Sequence, residues 1–295
     1  METRIAMIRI ITSGLYTTLQ DGGRFGYRSQ GVPLSGPMDR RSAALANRLL
    51  GNDENATLLE FTATGPTLLF EQAARISITG GIFEPQVNGS DVPMNRVLAI
   101  APGSQLTFSR PLKGWRGYIG IAGGFKSEMV LGSTSFYRGI TSQLKLEKGG
   151  QLQFDPTAKV RLPDQQSETA IATHLDSHIL EAYKGPEFQQ LPQSVQQKLT
   201  SLPFTTHASS NRMAYVFDTS EMIRADGIIT APVQPGTVQL TPSGRLHLLM
   251  RDAQTTGGYA RVLQLTENSM DILAQKRPGT EVSIKIVDPP FDIRV

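Results

Sequence analysis

Two polar, glycine-rich tracts, far apart in the sequence, carry the side chains best suited to chemistry. The first extends over residues 20–52 and the second over residues 252–259. Such tracts are poor core material, because few of their side chains are apolar and glycine is costly to order. They suit a place where the backbone approaches a ligand closely and polar groups converge on it. The pattern predicts a small-molecule site assembled from two distant parts of the chain.

In the first tract, Asp39 is the candidate for proton transfer or for accepting a hydrogen bond from a ligand. The alternative is that it only caps a helix, which by itself explains an aspartate at this position. Asn47 lies seven residues beyond Arg40, on nearly the same face of the expected helix, where an outward polar face is the ordinary explanation. Glu60 interrupts an apolar stretch and either points outward from a strand or projects into a pocket.

The second tract follows an apolar strand, a usual place for site residues. Asp252 comes first, and the Gln-Thr-Thr sequence of residues 254–256 then offers hydrogen-bond donors and acceptors. The glycine pair at residues 257–258 permits close approach of the backbone to a ligand. A glycine-rich hairpin loop is the alternative explanation. About forty residues earlier, Asn211 and Arg212 are candidates to clamp a carboxylate or phosphate, although a solvated surface arginine is the more ordinary interpretation.

Several sharper motifs are absent from the sequence. Residues 123–127, Gly-Gly-Phe-Lys-Ser, come near a phosphate-binding loop but place Phe between glycine and lysine. No Gly-x-Gly-x-x-Gly motif opens a strand–helix–strand unit, so a dinucleotide fold is not expected. His174 and His178 are four residues apart but lack the glutamate of a zinc protease motif, and we predict no metal site.

The composition is that of an ordinary globular protein. Of the 295 residues, 39% are hydrophobic and 19% are charged, with a formal net charge of +3. Lysine and arginine are spread along the chain, so a nucleic-acid partner is not expected. No apolar run approaches the length of a membrane span, so no membrane association is expected. The absence of cysteine excludes disulfides and thiolate metal sites and fits the cytoplasmic location that we predict.

Short strands separated by turn signals dominate the pattern and predict a mainly β fold, of sandwich or barrel type, with a few short helices. The clearest strand patterns lie at residues 8–11, 75–79, 97–100, 105–108, 118–121, 238–240, 246–250 and 282–286. In the second of these, Ile76 and Ile78 are expected to share one face.

One helix is well specified by the sequence. Pro37 fits its first position, Gly36 its cap and Gly51 its end, and Asp39 falls in the expected first turn. The spacing of Met38, Ser42, Leu45 and Leu49 predicts one buried stripe. Two further helices are expected at residues 191–202 and 269–275.

A polar stretch at residues 156–177 has the composition of a linker. It predicts two domains, an N-terminal β-barrel subdomain at residues 1–170 and a C-terminal one at residues 171–295.

The combination of motifs resembles the biotin-dependent carboxyltransferase-type family, which includes the C subunit of 5-oxoprolinase, the antagonist of the Kip kinase inhibitor, proteins like allophanate hydrolase subunit 2, and the central domain of urea carboxylase. The resemblance implies cyclophilin-like β-barrel subdomains. It rests on residues 20–24, 31–39, 46–47, 51–52, 65–66, 118–124, 131–133, 185–187, 210–213, 235–239 and 252–259, which occur in the order of the family.

The resemblance implies that the chain is a subunit of ATP-dependent 5-oxoprolinase. This enzyme opens 5-oxoproline to L-glutamate, and the chain would act in it together with partner subunits. The expected partners are a sister subunit of the Kip-inhibitor or allophanate hydrolase subunit 1 type and a lactam-utilisation-type subunit. ATP is expected to be shared with a partner, because the chain lacks a phosphate-binding loop.

The site residues expected on this basis are catalytic and substrate-binding. Arg212 would steady anionic oxygens, Asp39 or Asp252 would handle protons, and alanine at Asp252 is expected to abolish turnover while leaving the chain folded. The substrate-binding candidates are Ser35, Asn47, Glu60, Asn211, Gln239, Gln254, Thr255, Thr256, Gly257, Gly258 and Tyr259.

Two alternative functions use the same scaffold. One is a carboxyltransferase acting on urea or a related small amide, with biotin carried by a separate partner, since the chain has no Met-Lys-Met biotinylation sequence. A biotin carboxylase encoded next door would favour it. The other is a non-enzymatic antagonist of a kinase-inhibitor protein, which binding without turnover would favour.

Overall fold

The computed structural model describes residues 5–160 and 172–289. The chain divides into two compact units, the first formed by Met1–Phe25 and Ser35–Leu175 and the second by Gly26–Leu34 and Asp176–Val295. The boundary predicted at residue 170 lies outside the described residues. The segment Gly26–Leu34, which the sequence places in the N-terminal domain, belongs to the second unit, and nothing in its composition signals this.

The first unit contains two antiparallel sheets. The seven-stranded sheet has the order β11-β12-β1-β4-β9-β6-β7 and the five-stranded sheet the order β2-β3-β10-β5-β8. The strands are β1 (Ala6–Thr12), β2 (Tyr16–Gln20), β3 (Leu58–Thr62), β4 (Thr67–Phe70), β5 (Ala74–Ile82), β6 (Pro85–Val87), β7 (Ser90–Asp91), β8 (Val97–Ile100), β9 (Gln105–Phe108), β10 (Lys113–Ile121), β11 (Phe125–Lys126) and β12 (Gln151–Phe154). Helix α1 (Arg40–Leu49) also belongs here, and α2 (Ala172–Asp176) contains the boundary between the units.

One hydrophobic core draws side chains from both sheets of the first unit, among them Ile8, Phe70, Phe61 and Ile119. Strand β5 shows how alternation separates its two faces. Ile76 and Ile78 enter the core as predicted. The intervening hydroxyls, of Ser77 and Thr79, each donate a 2.7 Å hydrogen bond to a backbone carbonyl of α1. Helix α1 therefore packs on the face of the sheet opposite the core.

Helix α1 begins later than the sequence predicts. Asp39 is its N-cap and accepts a hydrogen bond from the backbone of Ser42, so neither Gly36 nor Pro37 occupies the expected position. The physical reason is that an aspartate side chain satisfies an unpaired N–H of the first turn, which glycine cannot do. The buried face also differs, because Leu45 is only half-buried whereas Asn47 is buried.

The second unit is built around a closed β-barrel. Strand β13 pairs with β20 in parallel and with β19 antiparallel, which closes the ring β13-β20-β14-β15-β18-β17-β19, and β16 pairs with β19 outside it. The strands are β13 (Ile179–Lys184), β14 (Phe204–Thr206), β15 (Ala214–Thr219), β16 (Gly227–Pro232), β17 (Thr237–Leu240), β18 (Leu246–Leu249), β19 (Thr256–Leu265) and β20 (Glu281–Ile286).

The helices of the second unit are close to those predicted. Helix α3 spans Gln193–Ser201 within the expected range. Helix α4 spans Glu267–Ala274 and starts before residue 269, because Thr266 caps it by accepting a hydrogen bond from the backbone of Ser269. The mainly β fold with a few short helices is confirmed. Every helix in the described parts of the chain is too short or too polar to cross a bilayer.

Candidate functional site

The start of the first tract ties two loops of the first unit together. The Asp21 carboxylate accepts hydrogen bonds from the backbone of Gly23 and Thr134 and from the hydroxyls of Ser133 and Ser135. Arg24 is fully buried and donates to backbone carbonyls at positions 130, 133 and 135. The polar side chains of Asp21 and Arg24 are therefore explained by contacts within the protein, and no ligand is needed to explain them.

The pKa of the Asp21 carboxyl lies below its ordinary value, because the hydrogen bonds from Ser133, Thr134 and Ser135 outweigh burial, which alone would raise it. Its stabilising contribution is therefore complete above the unfolded pKa of about 3.9 and is lost as the pH falls through the lower folded pKa. We expect Asp21→Asn to lower stability at pH 7 and to flatten the decline below about pH 4. Trp115, the single tryptophan, lies in β10, so urea titrations followed by its fluorescence measure this unit.

The matched control for this prediction is Glu147→Gln, which removes an exposed carboxylate of the same unit. It should leave the midpoints at pH 7 and pH 3 near those of the wild type. Parallel pH profiles for Asp21→Asn and the wild type would contradict the assignment.

Asp39 is completely buried at the N-terminus of α1. Its carboxylate accepts from the Ser42 backbone at 2.9 Å and from the Ser42 hydroxyl at 2.6 Å, and it lies 3.0 Å from Nε2 of His174. Burial raises the pKa of Asp39, but His174 and Ser42 together lower it below the ordinary value. The structure thus gives Asp39 the capping role, reinforced by a buried histidine 135 residues away. Proton transfer to a substrate stays a prediction.

Glu60 projects inward rather than outward from β3. Its Oε2 accepts from the Met38 backbone at 2.7 Å and from the Tyr118 hydroxyl at 2.9 Å, and that hydroxyl accepts from the Asp39 backbone at 2.8 Å. Burial and the charge of Glu60 raise the pKa of Tyr118 well above its ordinary value. Together these groups hold the backbone that leads into α1.

Ser35 and Asn47 are also buried in the first unit. Asn47 donates to the carbonyls of Glu54 and Ala56 at 3.1 and 2.8 Å, so it orders the loop after α1 rather than facing solvent. Ser35 has a positive φ of 58°, and its buried hydroxyl has no hydrogen-bond partner among the described residues. Of the first-tract candidates, Ser35 is the one whose polar group the protein leaves unused.

In the second unit, Arg212 and Asp252 are bound to each other. The guanidinium donates from Nε at 2.8 Å and from Nη2 at 3.0 Å to the two carboxylate oxygens, and both residues are buried. The backbone of Asp252 also donates to the Arg212 carbonyl. Asn211 caps the adjoining turn, since its Oδ1 accepts from the backbone of Met213 and Ala214. Two of the three predicted catalytic residues therefore form a buried ion pair with each other, and their catalytic role stays a prediction.

Gly257 packs closely against a side chain of the protein, whereas a Cβ at Gly258 would meet only ordinary van der Waals contacts. A Cβ at Gly257 would lie 2.5 Å from Nε2 of Gln239, a residue that also contacts Gln254. Gln239 donates to the carbonyl of Tyr259, whose side chain is partly exposed. The Oε1 atom of Gln254 is buried and without a hydrogen-bond partner among the described residues.

A cavity of about 490 Å³ lies in the second unit, where the ends of β13 and β16 meet β19 and the turn at Arg28–Gln30. We call it the cation-rich pocket, because two arginines and a lysine reach it. Its lining includes Arg28, Lys184, Pro186, Thr237, Thr255, Thr256, Arg261 and Gln264. Arg28 comes from the first tract and Thr255 and Thr256 from the second, so both tracts contribute to one cavity.

The electrostatics of the cation-rich pocket favour an anion. Arg261 donates to the Glu187 carboxylate at 2.7 and 3.0 Å, and this hydrogen bonding lowers the pKa of Glu187. Arg28 donates to the Val233 carbonyl, and neither Arg28 nor Lys184 has a carboxylate partner among the described residues. Burial lowers the pKa of Arg28, although a guanidinium stays charged at neutral pH.

Arg28, Lys184 and Arg261 were not among the residues expected from the sequence. A signal was present, because residues 185–187 belong to the family motif. A Cβ at residue 185 would collide with the backbone carbonyl of Arg261 in β19. Residue 185 must therefore be glycine.

Comparison with known proteins agrees with this architecture. A family model, the carboxyltransferase domain, subdomain A and B, matches residues 30–286. The C subunit of 5-oxoprolinase from Escherichia coli is 33% identical over 276 residues, covering 91% of this chain and 87% of that protein. The urea amidolyase of Saccharomyces cerevisiae is 40% identical over 131 residues, which are 44% of this chain and 7% of that protein. The crystal structure of K. lactis urea amidolyase matches 98% of this chain and 19% of its own chain, with a TM-score of 0.86 at 22% identity, a likeness of fold.

Proposed function

Because the chain belongs to the family of carboxyltransferase domains with subdomains A and B, we propose that it is a subunit of an ATP-dependent 5-oxoprolinase, which opens 5-oxoproline to L-glutamate. Support comes from the similarity to the C subunit of the E. coli 5-oxoprolinase, which extends over most of both chains. The observation that carries the proposal is the cation-rich pocket, since 5-oxoproline is a small carboxylate.

The chemical difficulty of the reaction is the lactam bond, whose resonance makes it resist water at neutral pH. ATP would supply the phosphoryl group that activates the lactam oxygen. In this proposal Arg28 and Lys184 bind the carboxylate, and the hydroxyls of Thr255 and Thr256 orient the ring. These residues hold the substrate in place, and proton transfer by Asp39 or Asp252 stays a prediction.

The pocket fits the phosphate oxygens of ATP better than its magnesium ion. Arginine and lysine bind phosphates, but magnesium in phosphoryl-transfer sites is held by carboxylates, and the described lining includes none. Glu187, nearby, is already bound to Arg261. We therefore propose that ATP is shared with a partner subunit, a sister of the Kip-inhibitor type or a lactam-utilisation-type protein.

Carboxyl transfer to urea or a related amide is the second candidate. It is favoured by the 40% identity with the S. cerevisiae urea amidolyase over 131 residues. In that case a separate partner would carry biotin, and the pocket would receive a carboxylated intermediate rather than 5-oxoproline.

Co-expression with the two proposed partner subunits tests the oxoprolinase function. We expect ATP-dependent release of glutamate from 5-oxoproline only when all subunits are present. Replacing Thr255 and Thr256 together with valine should raise KM by about tenfold, because two hydroxyls that position the substrate are lost while the side-chain volume is kept.

The matched control is Thr200→Val, an exposed threonine of α3, which should leave KM unchanged. A well-formed complex that releases no glutamate would reject the oxoprolinase function, and biotin-dependent carboxylation of urea would then be assayed.

A further inference from the structure

We propose that the cation-rich pocket is an oxyanion-binding site whose anchor is Arg28, and that it takes the carboxylate or phosphate group of a small molecule. The inference deepens the proposed function and rests on it for the choice of ligand. Arg28 lies in Gly26–Leu34, a segment within the first tract that belongs to the second unit. The inference assigns the anchoring role to this segment.

The hydrogen bonding of Arg28 leaves its Nη1 without an acceptor in the described part of the chain. Nη2 donates to the Val233 carbonyl, whereas Nη1 is buried and has no hydrogen-bond partner among the described residues. A buried donor without an acceptor costs free energy, and the cost is larger for a charged group. An oxyanion in the pocket would supply that acceptor and a compensating charge.

Arg261 differs from Arg28 because its hydrogen bonds are already used. Nε and Nη2 donate to Glu187, and Nη1 donates to the Pro232 carbonyl at 3.1 Å. The carbonyls of Pro232 and Val233 are consecutive, so one stretch of backbone positions both guanidiniums of the pocket. Arg261 thus shapes the wall while Arg28 remains able to bind a ligand.

Lys184 adds a second positive charge without a competing carboxylate. Its ammonium lies 5.5 Å from the centre of the Phe188 ring, and it has no ion pair among the described residues. Thr255 and Thr256 offer neutral hydroxyl donors on the same lining. A charged anchor, a second cation on a flexible stem and hydroxyl donors are the groups that recognise a carboxylate or a phosphate.

The test is titration calorimetry on the full chain alone, with 5-oxoproline, ATP and the neutral lactam 2-pyrrolidinone as probes. We expect 5-oxoproline or ATP to bind saturably. Arg28→Gln should weaken that binding on the order of tenfold to a hundredfold, as expected for one charged hydrogen-bonded contact. Arg28→Lys should recover part of it, since the charge remains and the fork is lost. Binding of 2-pyrrolidinone should not depend on Arg28.

The matched control is Arg224→Gln, which removes an exposed arginine of the same unit outside the pocket and should leave binding unchanged. Circular dichroism melting establishes that each variant is folded. The probe that responds to Arg28 distinguishes a carboxylate site from a phosphate site. Equal binding by the wild type and Arg28→Gln, or no saturable binding of either anion by the wild type, would overturn the proposal. Arg28-dependent binding with no glutamate release by the complex would keep the site and reject the oxoprolinase function.

Discussion

Replacing Asp39 with alanine is expected to destabilise the first unit by about 3–5 kcal/mol, the cost of breaking a buried pair by removing one partner. The carboxylate is completely buried, lies 3.0 Å from the His174 imidazole and caps α1 through Ser42. Asp39→Asn keeps a good capping side chain but loses the charge. It should recover about 1 kcal/mol relative to alanine, the usual worth of an N-cap.

Urea unfolding followed by the fluorescence of Trp115 measures this prediction, because that tryptophan lies in the first unit. Glu147→Gln serves again as the exposed control. A loss below about 1 kcal/mol for Asp39→Ala would mean that the pair with His174 contributes little, since the cap alone is worth that much.

Replacing either Arg212 or Asp252 alone is expected to destabilise the barrel of the second unit by about 3–5 kcal/mol, because the remaining partner of a buried pair loses its counter-charge. The two groups share two hydrogen bonds at 2.8 and 3.0 Å. This changes the expectation drawn from the sequence, under which Asp252→Ala leaves the chain folded. The double variant Arg212→Met with Asp252→Leu should cost less than either single change, because apolar groups of similar volume replace the whole pair.

Hydrogen exchange of peptides from β15 and β18, the strands beside these residues, measures the stability of the barrel in each variant. Because the double variant should cost less than either single one, the coupling free energy from the four proteins should be at least about 3 kcal/mol, and additive effects would contradict a direct pair. Glutamate release by the reassembled complex then distinguishes a structural role of this ion pair from a catalytic one. A stable double variant with normal turnover would exclude catalysis by either residue, whereas a stable but inactive one would restore the catalytic assignment.

The residues of α1 illustrate what local patterns reveal. A single buried face and a stop near Gly51 were predictable because helical periodicity depends on near neighbours. The start was misplaced at Pro37, since choosing between Gly36 and Asp39 as the cap depends on where the chain turns. Asn47 was assigned to an outward face, but its amide is buried against the loop at residues 54–56, a contact that helical periodicity does not include.

The residues expected from the sequence coincide with the cation-rich pocket in part. Thr255 and Thr256 were identified from composition and line the cation-rich pocket. Arg212 and Asp252 were also identified, yet their side chains bind each other across 40 residues of sequence. Arg28 was not identified from the sequence. It belongs to the second unit although its neighbours in sequence belong to the first, and no local pattern indicates this.

The mainly β class and the family follow from the amino-acid sequence, since strand alternation and ordered motifs are properties of short segments. Which polar groups meet is a property of the folded chain. His174 reaches Asp39 across 135 residues, and Arg28 reaches the Val233 carbonyl across 205. Such contacts depend on the tertiary packing of distant segments, which short sequence patterns do not contain. The folded chain pairs Asp39 with His174 and Asp252 with Arg212, and it brings Arg28 and Lys184 to the pocket that Thr255 and Thr256 also line.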